Sequence, residues 1–451
     1  MDISLRISFR TCGGADFALK IELKAKGELT MADGDGGKRK VPPQVYERMR
    51  RRGKKSAAAF ARKHPAVILV AVILIIAIVV GACLWYFKFG GKEFLSGGGD
   101  GGAPPSGAYV PASIKDGDFS VHFLELGNKY TGDSVYIKSG DTDILIDAGS
   151  KTNSGPVISD YIDGFVSDGK LEYVIATHAH EDHIAGFYGT GEGAKRVKGV
   201  FERFDTGVII DFPLTDKADP SDTSVLGRYY AARNAEVEEG AKHYTALECF
   251  SESVPGAQRV YDIGGGAELE ILYNYYYDHP TPGKDDENDY SVAVIINRGE
   301  NHYLFTGDME KDGEDRMTDY YASRGGLPKC VLFKAGHHGS KTSSNVKLLA
   351  AIQPEYVVLC TCVGSNEYRA DEANKFPSQD FINRVSVYTD NVYATTIVLD
   401  YNDAGCVPRP FNGTIVILTR GGQIYVRCTD NDTKLKDTAW FKENRSSPPS
   451  W

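Results

Sequence analysis

The segment Thr177-His178-Ala179-His180-Glu181-Asp182-His183 constrains the fold of this 451-residue chain more than any other stretch. It follows at once on the apolar run at 173–176, so a strand is expected to deliver it. Imidazole nitrogens and carboxylate oxygens together suit a divalent zinc, manganese or iron ion. In extended backbone His178 and His180 share a side, whereas the neighbours Asp182 and His183 diverge, as they must if a second ion sits beside the first. The fold therefore has to end a strand at a place for two metals. The eight cysteines include no Cys-x-x-Cys pair, so structural zinc of that kind is not expected.

The residues around this cluster read as a layered α+β domain. β-branched and aromatic runs bounded by Gly and Asp predict strands at 119–126, 135–138 and 144–146, and later at 268–273, 291–296, 302–306, 330–334, 356–361 and 414–418. An apolar stripe opened by Pro156 predicts a helix over 156–166, and further helices are expected at 223–241, 310–323 and 343–352. Strand pairs with covering helices fit a layered architecture, and no repeat period of about 20 to 50 residues points to a solenoid.

Composition enters through its uneven distribution. With 42% hydrophobic and 25% charged residues the chain is an ordinary globular one, which excludes wholesale disorder. Its net charge of −10 divides sharply: residues 1–65 hold 16 Lys+Arg against 7 Asp+Glu, a net +9, and the remainder carries −19. Between the two lie 23 uncharged residues at 65–87. As a helix these span roughly 34 Å, enough to cross a hydrocarbon core of about 30 Å. The cationic flank places the N-terminus in the cytoplasm and the rest outside, a single-pass arrangement at the cell membrane. Five parts follow: a basic cytoplasmic segment at 1–65, a transmembrane helix at 66–87, a Gly/Pro-rich linker at 88–112, a catalytic domain at 113–430 and a polar tail at 431–451. The tetrad Val80-Gly81-Ala82-Cys83 resembles a lipoprotein cleavage site, the lesser reading of the same anchor. Translation from Met31, leaving 1–30 unmade, is also expected.

His-x-His-x-Asp-His after a strand resembles the signature of the metallo-β-lactamase superfamily, and other parts of that framework follow here. Asp147 in Leu-Ile-Asp-Ala-Gly resembles the Asp that buttresses the metal loop, Asp308 in Leu-Phe-Thr-Gly-Asp the bridging carboxylate, and His337 in Lys-Ala-Gly-His-His-Gly-Ser the last histidine ligand. The likeness runs over about 119–426. Within the superfamily it is closest to the hydrolase domain of ComEC competence proteins, through residues 121–127, Gly132-Asp133-Ser134, His337-His338-Gly339-Ser340 and Asn412-Gly413-Thr414-Ile415. A second kinship is with secreted phosphorylcholine esterases that act on teichoic acid. The departures are an insertion of three residues before Gly132, Phe376-Pro377 in place of a His-Pro pair, and no many-helix channel.

The resemblance implies an αββα sandwich and two divalent ions, zinc first and manganese second, held by His178, His180, Asp182, His183, Asp308 and His337. The histidine that completes the first site is not evident; His279 is the better candidate, His243 is expected in a helix, and Asn288 or water is a substitute. Asp182 and His338 are the candidate catalytic groups, with Ser340 and Lys341 placed to contact a phosphate. Hydrolysis of a phosphodiester by a water ionised between the ions is the expected chemistry. Nucleic acid as substrate is disfavoured by the −19 remainder of the chain, since phosphate-backbone affinity rests on cations. A phosphocholine ester needs less basic surface, and the tyrosines at 273 and 275–277 are candidates for a cation–π box. The competing reading is a non-catalytic membrane-tethered sensor that retains the fold. Cys360 and Cys362 are expected buried in a strand, and Cys406 with Cys428 is the disulfide to test first.

Overall fold

The computed structural model describes residues 118–217, 220–280, 287–365, 374–398 and 408–451, together with the backbone of four short strands nearer the N-terminus. In that first unit Asp2–Cys12 pairs antiparallel with Asp16–Lys26, and Thr30–Ala32 with Lys38–Lys40. The expected membrane span at 66–87, the tetrad at 80–83 and the linker at 88–112 lie outside the described residues. Among the described residues no helix is long and apolar enough to cross a membrane.

The second unit carries two eight-stranded sheets. In the first, β1 (Phe119–Phe123), β2 (Val135–Ser139) and β3 (Thr142–Ile146) form an antiparallel meander, and β4 (Lys170–Ile175), β5 (Asp205–Asp211) and β6 (Lys242–Thr245) extend it in parallel. The second contains β7 (Val260–Asp262), β8 (Glu268–Ile271), β9 (Val294–Arg298) and β10 (Asn301–Phe305), all antiparallel, followed in parallel by β11 (Leu332–Lys334), β12 (Tyr356–Val363) and β13 (Val392–Val398). Strand β14 (Pro408–Pro410) closes that sheet antiparallel, and the hairpin β15 (Ile415–Arg420) with β16 (Gln423–Cys428) returns to the free side of β1.

Alternation along the strands sorts side chains into layers. Val294, Ile296, Tyr303, Phe305, Leu332 and Val358 face the first sheet, while Ile295, Leu304, Phe333, Val357 and Leu359 face a separate outer cluster. The sheets meet through ring contacts of Phe119 with Tyr303, at 4.8 Å, and Phe123 with Phe305, at 6.4 Å. On the outer side of the first sheet, β1 turns His122 toward helix α1 (Ser154–Ile162), where Nδ1 meets the Tyr161 hydroxyl at 2.8 Å. Helix α2 (Glu181–Ile184) is a single turn, and α3 (Val225–Glu239) covers the sheet farther along. Over the second sheet lie α4 (Lys311–Ala322), α5 (Val346–Ile352) and α6 (Gln379–Val385), which bury Met317, Tyr321, Leu348, Leu349, Ile352, Phe381 and Ile382. The helix–sheet–sheet–helix order expected from the resemblance is what forms.

Two expectations are corrected. The segment at 431–451 is not a tail: Leu435 and Phe441 are fully buried, and Trp451 donates its indole N–H to the Thr389 carbonyl at 2.9 Å. His243 lies on the strand β6 rather than in a helix, because the left-handed Gly240, at φ 119°, ends α3 three residues earlier. Cys360 and Cys362 are buried in β12, as expected; Cys428 is buried, and Cys406 lies outside the described residues.

Candidate metal centre

The candidate ligands gather at the carboxyl ends of β3 and β4 from one sheet and of β10 and β11 from the other. Asp147, just after β3, takes a left-handed backbone at φ 59°, and its own N–H bonds the Ile175 carbonyl on β4. Its two oxygens accept from the Thr177 N–H and hydroxyl, both at 2.8 Å, and Oδ2 also faces His183 Nδ1 at 2.8 Å. Asp147 thus supports the loop, the position the resemblance assigns it. Because that carboxylate only accepts, Nδ1 of His183 carries hydrogen, and Nε2 is the atom at which an ion would replace a proton.

His183 Nε2 and His338 Nε2 stand 3.2 and 3.1 Å from Asp308 Oδ2, and His338 Nε2 is 3.4 Å from Asp182 Oδ2. One donor atom from each of these four residues lies within 4.8 Å of the others. Both Nε2 atoms are buried and face these carboxylate oxygens without an aligned hydrogen bond, an arrangement that a divalent cation would satisfy. Two imidazoles and two carboxylates are a donor set for such an ion, so the residues fit a metal. Burial alone disfavours charge on these groups. Asp308 nevertheless overrides it and holds both His183 and His338 well above the ordinary imidazole range, while those histidines hold Asp308 well below the carboxylate range.

His178 and His180 form a second pair, with Nε2 of one 3.0 Å from Nδ1 of the other. His178 is buried, and its Nδ1 meets the Ser291 hydroxyl at 3.3 Å, the same hydroxyl that accepts from the Asp308 N–H. Burial, joined by the neighbouring histidines, keeps His178 neutral far below its usual range. The loop is pinned by Glu287, a buried carboxylate that accepts from the Ala179 N–H at 2.9 Å and from the Thr215 hydroxyl and the Asp216 N–H at 2.7 and 2.9 Å.

The sequence expectations are met unevenly. Asp182, His183 and Asp308 join one cluster, so Asp182 and His183 converge rather than diverge. Of the adjacent histidines it is His338, not His337, that enters it. His337 is at the rim, 3.9 Å from Asp308 Oδ2, with Nδ1 toward Glu310 and Thr342. Successive left-handed residues, at φ 40° and 54°, turn the chain so that the second ring points inward. Ser340 spends its hydroxyl within its own turn, accepting from the Thr342 N–H, and Lys341 is exposed. Neither candidate third histidine is in place. His243 Nε2 binds Asp211 at 2.7 Å, and the exposed His279 stacks on Tyr275 at 4.2 Å and reaches that residue's carbonyl. Asn288, which follows Glu287, has a buried Oδ1 without a hydrogen-bond partner. The tyrosine run makes no open box: Tyr276 and Tyr277 are buried, and Tyr275 is covered by His279 on one contact and Arg316 on another.

Sequence reasoning overlooked Asp133 and Lys334 as site residues, although Gly132-Asp133-Ser134 was noticed and a lysine closing the apolar strand Leu332–Lys334 is itself a signal. Ser291 and Glu287 carried no comparable mark.

Residues 127–189 match the family model described as the metallo-beta-lactamase superfamily. Competence protein ComA of Neisseria gonorrhoeae is 25% identical over 282 residues, which is 62% of this chain and 31% of that protein. ComE operon protein 3 of Bacillus subtilis is 27% identical over 192 residues, 42% of this chain and 20% of that one. The chain thus spans less than a third of either relative. Among solved structures, the metallo-beta-lactamase fold protein YhfI from Bacillus subtilis aligns with 62% of this chain and 96% of its own, at 13% identity and a TM-score of 0.33. The segment that carries the His-x-His-x-Asp-His cluster matches the metallo-β-lactamase superfamily, and the chain's similarity to the competence proteins, expected from its motifs, is borne out.

Proposed function

We propose that this chain is a metal-dependent hydrolase of phosphodiester bonds, held at the outer face of a membrane by its uncharged segment at 65–87. The single observation that carries the metal chemistry is the buried convergence of the Nε2 atoms of His183 and His338 on the carboxylates of Asp182 and Asp308. A divalent ion there, zinc before manganese on this donor set, supplies Lewis acidity and makes a water nucleophilic near neutral pH. Asp182, whose Oδ2 is 3.4 Å from His338 Nε2, would hold the ion and orient such a water. His178 and His180 would hold a second ion, with the Asn288 carbonyl oxygen as the remaining protein donor. Burial keeps His180 low, and Lys217, which follows the 215–216 loop that Glu287 ties to Ala179 and pairs with Asp216 at 3.4 Å, adds to that effect. That lysine is a ready partner for a substrate phosphate.

A non-catalytic sensor or binding protein is the second reading, and one observation favours it: neither His243, which binds Asp211, nor His279, which stacks on Tyr275, joins His178 and His180. Metal analysis of purified residues 109–451 separates the two. The hydrolase reading expects at least one equivalent of zinc or manganese and turnover of bis-p-nitrophenyl phosphate, lost in His180→Ala and Asp308→Asn while each variant stays folded. Less than one equivalent together with no turnover sinks it. A panel of short nucleic acids, teichoic-acid fragments and phosphocholine esters then sorts the substrate class.

A further inference from the structure

Lys334, the last residue of β11, is only 2% exposed, and its ammonium lies between three oxygens. It donates to the Asp133 carboxylate and, at 3.0 Å, to the Gly307 carbonyl; Asp308 Oδ1 is 3.4 Å away. Burying an ammonium costs several kcal/mol unless close anions offset it, so an apolar residue would serve better if the position were mere packing. Asp133 is equally buried and is held through both its main chain and its carboxylate. Its N–H donates to the Asp182 carbonyl at 3.0 Å, and its own carbonyl accepts from the Gly149 N–H at 2.6 Å. Its Oδ1 stands 3.0 Å from His338 Nδ1, which also faces the Cys360 carbonyl at 2.9 Å. Both neighbours of that nitrogen are acceptors, so Nδ1 of His338 carries hydrogen and Nε2 is the atom at which an ion would replace a proton.

We propose that Asp133 and Lys334 are a positioning pair for the metal centre: Lys334 holds Asp308 by Oδ1 so that only Oδ2 faces the imidazoles, and Asp133 backs His338 while fixing Asp182 through the main chain. The inference rests on the metal reading of the site but not on phosphodiester hydrolysis. The pair reaches across the interior, since Asp133 precedes β2 in one sheet and Lys334 ends β11 in the other. It therefore registers the ligands of one sheet against those of the other. Neither residue touches a reacting atom in this scheme, and both act through Asp308, His338 and Asp182.

The decisive variant is Asp133→Asn combined with Lys334→Met in the full chain. It removes one positive and one negative charge together, so no buried ion is left unpaired and the net charge is unchanged. A positioning role predicts that the double variant unfolds near the wild-type temperature in chelator but binds zinc about 10- to 100-fold more weakly, read by competition with a coloured chelator. Each single variant is expected to lose stability in chelator and to recover part of it on pairing with the other. A double variant that binds zinc as tightly as wild type, or that does not fold at all, overturns the proposal, because the pair is then a device of the fold. A wild-type chain that takes up no zinc or manganese overturns the metal reading itself, and is recognised before any variant is compared.

Discussion

The two sheets run the same strand pattern yet contribute unequally to the site. β1–β2–β3 and β8–β9–β10 are both antiparallel meanders, and each continues through three parallel strands. In both, an aspartate follows the third strand, Asp147 or Asp308, and histidines follow the fourth, at 178–183 or 337–338. The equivalent aspartates nevertheless do opposite work. Both oxygens of Asp147 are used by Thr177 and His183, which leaves it a support, whereas Asp308 gives one oxygen to Lys334's neighbourhood and turns the other to two imidazoles. A strand end fixes where a side chain begins, and the hydrogen bonds around it decide whether it binds or braces.

The comparison breaks most visibly at the inward histidine. His338→Ala removes one of four donors from the clustered site and is expected to weaken metal binding there by more than the roughly 100-fold typical of supporting residues. His337→Ala, at the rim, is expected to cost less than about 10-fold by the same scale. Elemental analysis after dialysis against a chelator series tells them apart. Equal losses would mean that the two rings share the ion and that the inward turn of His338 is not decisive.

Next in size is the brace of the first sheet. Asp147→Asn keeps the shape but weakens its hold on the His183 N–H, and about a 10- to 100-fold loss of metal affinity is expected. If Asp147→Asn matched Asp308→Asn in effect, the division into a brace and a ligand would fail.

How much of this was legible depends on how local each feature is. Alternating apolar runs revealed the meanders, since Phe119, Val121 and Phe123 in β1 or Val294 and Ile296 in β9 bury sides that their own order specifies. The cluster at 178–183 was legible because six residues carry all of it. Strand β13 was passed over although its Val-Tyr-Ala-Thr-Thr-Ile-Val run is as β-branched as the strands that were read. The choice between His337 and His338 was not legible, because it rests on two left-handed residues that nothing in a His-His pair announces. Asp133 and Lys334 lie some 200 residues apart and meet only through the packing of one sheet on the other. Such a pair escapes any reading by spacing.

A smaller and pH-dependent effect tests the charge balance of the clustered site. In the metal-free protein His183 and His338 sit well above the usual imidazole value, because Asp308 outweighs burial. A group raised on folding stabilises fully below its unfolded value and loses that contribution as pH rises through the folded one. Asp182 and Asp308, held low, contribute above the ordinary carboxylate value and lose it as pH falls through their folded values. In chelator, melting temperature is therefore expected to decline below about pH 4, as the carboxylates protonate, and again above about pH 7, as the histidines lose their protons, so the scan runs from about pH 2 to about pH 9. With zinc present the alkaline decline disappears, since the ion replaces the protons, and metal affinity falls toward acid. Identical alkaline behaviour with and without zinc would place the ion elsewhere.

The smallest expected effect concerns the first-sheet pair and its missing partner. His279→Ala removes an exposed ring that stacks on Tyr275, and His243→Gln keeps a donor toward Asp211, so neither is expected to change metal content by as much as about twofold, the scale of surface substitutions within about 0.5 kcal/mol. Asn288→Ala is the contrast. Its Oδ1 is buried without a partner beside the loop that Glu287 ties to Ala179, and losing it should loosen an ion held by His178 and His180 while sparing the one held by His338. Two-step metal titration resolves the sites, the weaker step moving in Asn288→Ala and neither step moving in His279→Ala. If His279→Ala alone erased the weaker step, the exposed loop would have to fold inward on the ion, and the inequality between the two sheets would be smaller than their strand ends imply.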